Sequence, residues 1–313
     1  MVTSVVLGGA GFLGSHLVDS LISEGNKIIV IDDLSSGNRN NLIQVKHSSL
    51  FSMLQHDICD PISIEGEVDY VFNFASLASP PRYLNRPVHT LSTGSIGVEN
   101  AIRLAMLKNA RLIHASTSEV YGDPLQHPQR EDYWGNVNPI GERSCYDEAK
   151  RFAEALCIAY SKTELLNVGI VRIFNTYGPR LDPDDGRVIS NFINQALRGD
   201  DITVYGDGSQ TRSFCFVSDL VDGILALAKS NVRGPLNLGN PSEYSMVEIA
   251  LKVIEKTKSP SNIVFRSLPS DDPRKRCPEI SLAIEKLGWR PSIGIDEGLD
   301  ILIRWYKEQG EIK

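Results

Sequence analysis

Short apolar, β-branched runs alternate with segments of helical period through the first half of the chain. That alternation predicts parallel strands joined by crossover helices. Thr3 to Leu7 reads as the first strand, and the helix after it carries Leu13, Leu17, Leu21 and Ile22 on one face before closing at Gly25. Lys27 to Ile31 is a second strand, a short one follows near Met53 to His56, and Val68 to Phe74 is the fourth. A helix over Thr90 to Leu107, with Val98, Ile102 and Ala105 inward, leads to the buried strand Arg111 to Ala115. Another helix opens at Tyr146, and Val168 to Phe174 is again a strand. The expected fold class is α/β, a doubly wound parallel sheet.

Beyond Phe174 the pattern loosens. Ile189 to Leu197, Asp219 to Lys229 (capped by Ser218 or Asp219), Ser245 to Lys256 and Asp296 to Gln309 read as helices. Ile202 to Tyr205 and Leu236 to Leu238 read as strands, and Gly206 to Arg212 as a turn-rich loop. We therefore expect a smaller α/β substrate domain, about 176–212 and 239–313, interleaved with a nucleotide domain of 1–175 plus about 213–238. No repeat, low-complexity tract or linker is evident.

The first strand runs straight into Gly8-Gly9-Ala10-Gly11-Phe12-Leu13-Gly14. Glycines at Gly8, Gly11 and Gly14 keep the turn tight, let backbone approach a pyrophosphate and let helix pack on strand. The pyrophosphate would sit on the N–H groups of the helix start. Asp32 closes the second strand, placed to bind both hydroxyls of an adenosine ribose. Its charge repels a 2′-phosphate and no arginine follows at once, so the expected cofactor is NAD rather than NADP. Asp57-Ile58 lies where an adenine is held, and Ala75-Ser76 ends the fourth strand against the cofactor path.

The strand at Arg111 continues into Ser116-Thr117-Ser118-Glu119, at the sheet edge where ligands bind in such folds. Tyr146 and Lys150, four apart, share a helix face. An ammonium and a cationic nicotinamide beside a phenol favour the phenolate, which can take a proton from a sugar hydroxyl as hydride leaves the same carbon. Ser118 can hold that oxygen too. On its own this spacing is as readily an exposed helix face, so the glycine turn carries the argument. In the Ser79-Pro80-Pro81-Arg82-Tyr83 stretch two prolines predict a rigid loop, with the Tyr83 hydroxyl at the cleft and Arg82 and Arg86 as candidate surface charges. Arg212 and Arg276 are candidate diphosphate clamps, and Tyr205 can stack on a base.

Composition narrows the classes. A net charge of −7 argues against nucleic-acid or anionic-membrane partners. The five cysteines show no metal-ligand spacing and read as reduced thiols, and no metal is expected. No apolar run is long enough to span a bilayer, and the first residues enter the nucleotide strand directly. A soluble, cytoplasmic protein is expected.

These residues are familiar as a set. GGAGFLGSHLVD from Gly8, ASLASPPRY from Ala75, ASTSEVYGDP from Ala115 and EDYWGNVNPIGERSCYDEAKR from Glu131 resemble the extended short-chain dehydrogenase/reductase superfamily, in its sugar-nucleotide branch. RIFNTYGPR from Arg172, DGRVISNFI from Asp185, VYGDGSQTRSF from Val204 and DDPRKRCPEI from Asp271 extend the likeness end to end. Within that branch the chain is most similar to the UDP-glucuronate decarboxylases. The resemblance implies a Rossmann-type sheet, a tightly bound NAD, a UDP-sugar substrate, and a homodimer built through a four-helix bundle from the helices at Thr90 and Tyr146. It makes Tyr146 the base, Lys150 its partner, Ser118 (beside Thr117) the second hydroxyl, and Glu119 the distinguishing acid, acting at C5 directly or through a water. Tyr83 would face the glucuronate, and Asn175, Arg187, Tyr205, Gln210, Arg212 and Arg276 would hold UDP. The expected cofactor set is completed by Phe12, Leu13, Asp33, Ser35, Ser36, Gly37, Phe74, Thr93 and Thr176. The loop Asp33 to Gly37 resembles the version in epimerases, so a UDP-sugar 4-epimerase stays an alternative. So does an enzyme that releases UDP-4-keto-pentose, and a catalytically silent NAD-binding protein would need a lost Tyr or Lys.

Overall fold

The computed structural model describes residues 1–267 and 275–310. Its first strand, β1 (Thr3–Leu7), leads through the glycine turn to α1 (Phe12–Ser23), then β2 (Lys27–Asp32), β3 (Phe51–Gln55) and β4 (Tyr70–Asn73). Three helical pieces follow, α2 (Pro80–Asn85), α3 (Pro87–Ser92) and, after a π turn over Thr93–Gly97, α4 (Val98–Leu107). Next come β5 (Arg111–Thr117), α5 (Ser144–Thr163), β6 (Val168–Ile173) and β7 (Thr176–Tyr177). The looser half holds α6 (Val188–Arg198), β8 (Ile202–Tyr205), β9 (Thr211–Ser213), β10 (Cys215–Phe216), α7 (Val217–Lys229), β11 (Gly234–Leu238) and β12 (Glu243–Ser245). It closes with α8 (Met246–Thr257), β13 (Ile263–Arg266), β14 (Lys275–Arg276), α9 (Ser281–Leu287) and α10 (Ile295–Gln309).

Seven strands form one parallel sheet in the order β11-β6-β5-β4-β1-β2-β3. One face is covered by α1 and α7, through Leu17, Val18, Leu21, Leu220, Ile224 and Leu227. The other is covered by α4 and α5, through Ala101, Ile102, Ala105, Ala153 and Cys157. Coverage on both faces explains the unbroken apolar runs, and β5, an interior strand between β6 and β4, is buried at all seven positions. Its amino end is a structural anchor: Arg111 donates to Asn167 Oδ1 at 2.6 Å and to the carbonyls of Val232 and Leu227 at 2.7 and 3.2 Å. Its carboxyl end is left for chemistry.

Several local expectations need correcting. The Ser79-Pro80-Pro81 stretch opens helix α2 rather than a loop, because prolines at the first two helical positions have no N–H to lose there. The helix expected from Thr90 begins earlier, at Pro87. Neither Ser218 nor Asp219 caps α7, whose N-cap is Phe216. The Asp219 carboxylate instead accepts bonds from Ser292 N, Ser292 Oγ and Ile293 N, at 2.9, 2.8 and 2.8 Å. Ser245 does cap α8, in a reciprocal box with Glu248. Asp271 to Arg274 lie outside the described residues. Among the described residues no helix is long and apolar enough to cross a membrane.

Candidate active site

The turn after β1 brings backbone against backbone. A Cβ on Gly14 would lie 2.1 Å from the Gly8 carbonyl oxygen, so only glycine lets α1 start this close to the strand. Gly11 caps α1 without a side chain, and Gly8, Gly11, Phe12, Leu13 and Gly14 line a cavity of about 1110 Å³. Asp32, at the end of β2, is turned into a smaller adjoining cavity with Asp33, Ser35, Ser36, Asp57, Ile58, Phe74, Ala75, Ser76 and Thr93. Its Oδ2 accepts from Ala10 N and its Oδ1 from Leu34 N, both at 2.9 Å. Burial nonetheless pushes its carboxyl pKa up. Gly37 packs directly over this carboxylate, where a Cβ would come within 2.6 Å of Oδ1.

The rest of the cradle is less free than expected. Asp33 accepts from Ser35 N and Oγ, and Asp57 Oδ1 from Cys59 N at 2.8 Å. The Ile58 carbonyl accepts from Asn100, and the Thr93 and Thr176 hydroxyls donate to the carbonyls of His89 and Phe174. Uncapped helix N-terminus, close-approach glycine and strand-end acid stand in register, which is the donor set a dinucleotide needs. The residues fit NAD.

Beyond β5 the chain tightens into a turn, Ser118–Tyr121, capped by Thr117, whose Oγ1 accepts from Glu119 N at 3.2 Å. Across it, α5 presents Tyr146 and Lys150 one turn apart. Lys150 Nζ donates to the Ala115 carbonyl at 2.8 Å and lies 5.8 Å from the centre of the Tyr146 ring. Burial pushes Lys150 down to about 8. Burial also pushes the Tyr146 phenol up, although Thr117 hydrogen-bonds it. In the protein alone desolvation outweighs the Thr117 hydrogen bond and the Arg187 charge, and Tyr146 is a neutral phenol.

Tyr83 stacks on Tyr146, ring centres 5.1 Å apart and planes 9° from parallel. It lines the larger cavity, and its buried hydroxyl has no hydrogen-bond partner among the described residues.

Two expectations change at Glu119. Its Oε1 accepts from Arg276 Nη1 at 2.9 Å and its Oε2 from Arg143 Nη2 at 2.6 Å. Burial opposes its ionisation, but the two guanidinium groups win and hold its carboxyl at about 2. Such a group has no proton to give at C5. The buried Ser118 Oγ accepts from Arg276 Nη1 at 3.0 Å, and the hydroxyl bonded to Tyr146 is that of Thr117. Arg276, which also donates to the Gly122 carbonyl at 3.0 Å, lines the larger cavity with its guanidinium on the acid. Arg143 and Asp147 escaped the sequence reading. Burial and the Glu119 charge push the Asp147 carboxyl up, and the spacing of three from Arg143 to Tyr146 was the available signal.

The remaining predicted ligands line the same cavity. Arg187 pairs with Asp185, its Nη2 donating to Oδ1 at 2.9 Å. The Asn175 carbonyl accepts from Cys215 N, Gln210 donates to the Tyr205 carbonyl, and Arg212 donates to the Thr211 carbonyl. Arg82 is no idle surface charge. It donates to the Ser36 carbonyl at 3.0 Å and pairs with Asp182, while Ser79 Oγ donates to the Asp185 carbonyl at 2.7 Å. Helix α2 thus clasps the cofactor rim to the loop before α6.

Comparison with known proteins agrees with this geometry. Residues 4–239 match the model of the NAD dependent epimerase/dehydratase family. UDP-glucuronic acid decarboxylase 2 of Arabidopsis thaliana is 51% identical over 306 residues, covering 97% of this chain and 68% of that protein. UDP-glucose 4-epimerase of Thermotoga maritima, solved with UDP-glucose, superposes with a TM-score of 0.90 at 27% identity, covering 99% and 100% of the two chains. A dTDP-glucose 4,6-dehydratase of Streptomyces venezuelae, solved with NAD bound, gives 0.90 at 27% identity over 98% and 97%.

Proposed function

The chain belongs to the NAD dependent epimerase/dehydratase family, and on that premise we propose that it is an NAD-dependent decarboxylase converting UDP-glucuronate to UDP-xylose. The observation that carries the reading is the grouping at the cavity floor. Tyr146 and Lys150 stand where a sugar carbon can be oxidised, beside a glutamate that two arginines hold as an anion. The half-identical relative named for this reaction supports it over the more distant epimerase.

The glycine turn would hold the pyrophosphate of NAD, Asp32 the adenosine ribose and Lys150 the nicotinamide ribose. When bound, NAD supplies the acceptor for hydride from C4 of the sugar and the source of its return. Tyr146, bonded to Thr117, would act as the phenolate that the Lys150 ammonium and a cationic nicotinamide favour, its own proton having left to solvent, and its Oη then takes the proton of the C4 hydroxyl. With C4 a ketone, the C6 carboxylate lies β to a carbonyl and departs as carbon dioxide, its electron pair passing into an enolate. Hydrogen bonds from Tyr146 and Thr117 stabilise the oxygen on which that charge develops. Because Glu119 is ionised, the proton reaching C5 comes from solvent, relayed by a water that Glu119 orients and that solvent reprotonates. Tyr146 then returns its proton to the C4 oxygen. Tyr83 offers its unpartnered hydroxyl to the sugar, and Arg187, Arg212, Gln210, Tyr205 and Asn175 serve the nucleotide.

In this reading 1–175 with about 213–238 carry the cofactor, and about 176–212 with 239–313 carry the sugar nucleotide. A homodimer through a four-helix bundle is supported by exposed apolar side chains on the two helices concerned: Val88 at 75%, Ile96 at 51% and Phe152 at 50% exposure. Five free thiols fit a reducing compartment such as the cytoplasm.

The test is incubation with UDP-glucuronate, with and without added NAD, read by mass spectrometry. UDP-pentose at the mass of UDP-xylose, with carbon dioxide released, is expected. Accumulated NADH with the ketone would mean that the cycle stops early. Unchanged mass with inversion at C4, read by magnetic resonance, would overturn the assignment in favour of an epimerase.

A further inference from the structure

No cysteine spacing in the sequence suggests a metal, yet folding gathers three different donors outside the reaction cavity. His127 comes from the loop after β5, Glu243 from β12, and Cys277 from just beyond β14. Their ligand atoms all lie within 4.8 Å of one another. His127 Nε2 and Glu243 Oε2 are 2.8 Å apart at a partly open rim, and Cys277, 3% exposed, forms the floor.

The frame around them is built. Glu243 Oε1 accepts from Thr211 Oγ1 at 2.6 Å, which aims Oε2 at the histidine. Gln129, wholly buried, joins the histidine loop to the cysteine strand. It accepts from Cys277 N at its Oε1, donates its own N–H to the Cys277 carbonyl (each 2.9 Å), and donates Nε2–H to the Gln126 carbonyl at 2.8 Å. Strand β9 pairs with both β12 and β14 and sets their separation.

We propose that His127, Glu243 and Cys277 form a binding site for a thiophilic divalent cation of the zinc class. One sulfur, one imidazole nitrogen and one carboxylate oxygen, with a water as fourth ligand, is a tetrahedral zinc donor set, and a set that magnesium or calcium would not choose. Bond lengths of 2.0–2.3 Å around such an ion separate neighbouring ligand atoms by about 3.3–3.6 Å. The histidine–glutamate pair therefore opens by about half an ångström to admit it. Binding replaces the thiol proton of Cys277 by the metal–sulfur bond, and the proton leaves to solvent.

The second cluster, Asp57, Cys59 and His89, does not compete as a candidate: Asp57 and His89 line the cofactor cradle, and Asp57 Oδ1 is already held by Cys59 N. It supplies the control.

The experiment is titration of the chelator-treated full chain with cobalt(II), a coloured probe for zinc sites, followed by zinc. One equivalent giving a thiolate-to-cobalt absorption band, bleached by zinc and indifferent to magnesium, is expected. Cys277→Ser should abolish the band, His127→Gln should weaken binding at least tenfold, and Cys59→Ser should change neither. Zinc should also raise the unfolding temperature of the wild type and of Cys59→Ser only, since an ion that binds the folded state stabilises it. A band that survives Cys277→Ser, or one lost in Cys59→Ser, overturns the site. Should Cys277→Ser fail to fold, unaltered affinity in His127→Gln, a change at the open rim, overturns it equally.

Discussion

Replacing Lys150 by methionine should make the protein more stable while ending catalysis. Lys150 is 6% exposed, and burial moves its ammonium from 10.5 to about 8. At 1.36 kcal/mol per pH unit, keeping the charge there at pH 7 costs about 3 kcal/mol. Methionine fills similar volume without charge, and losing the charged-donor bond to the Ala115 carbonyl returns about 1.5 kcal/mol of that. The net expectation is about 1.5 kcal/mol of added stability at pH 7, read from urea midpoints of NAD-free protein. The pH dependence gives the sharper test. A lysine whose folded pKa lies below its unfolded value binds fewer protons folded than unfolded between about 8 and 10.5. Wild-type stability from this group is therefore lowest below pH 8 and rises across that window. By pH 9.5 only about 1.4 kcal/mol of the penalty remains, which the lost hydrogen bond nearly cancels, so the two proteins should converge. If Lys150→Met is less stable at pH 7, or its advantage does not shrink by pH 9.5, then the ammonium is not burdened by burial and the reasoning fails.

Tyr146→Phe should lower turnover about 10²–10⁴-fold with NAD binding intact, measured by product formation against cofactor fluorescence. Tyr83→Phe should leave stability within about 0.5 kcal/mol, because the hydroxyl has no partner among the described residues, and yet raise KM for UDP-glucuronate; an unchanged KM removes that hydroxyl from the substrate site. Glu119 is the opposite titration case to Lys150. Its folded carboxyl sits at about 2 against 4.5, so its contribution is complete above pH 4.5 and is lost as pH falls toward 2. Acid unfolding of Glu119→Gln should accordingly be flatter over that interval, as followed by circular dichroism.

The parts of this molecule legible in its sequence are those whose cause is local. The glycine turn, the strand-end Asp32 and the four-residue step from Tyr146 to Lys150 each depend on spacing within one or two elements. What failed depends on partners far away in the chain. Ser118 and Arg276 are 158 positions apart, and nothing near either one says that the arginine will take the hydroxyl. Asp219 looked like a helix cap because such residues usually are, but it is spent on a loop 73 residues downstream. The misread prolines at 80 and 81 are a different matter: the same φ restriction that stiffens a loop also starts a helix, and the sequence is compatible with both.

The clasp made by Arg82 is also a latch. Ser36 lies on the rims of both cavities and Asp182 on the rim of the larger, so a single side chain latches two compartments together. The segments that carry Ser36 and Asp182 are thus tied through one guanidinium, and a shift of either rim must lengthen or break one of its two bonds. The ion pair in that latch is about one-third exposed on each side, where such pairs are worth at most about 1 kcal/mol and weaken with salt. Salt, which leaves the buried chemistry untouched, should therefore loosen this latch by no more than about fivefold.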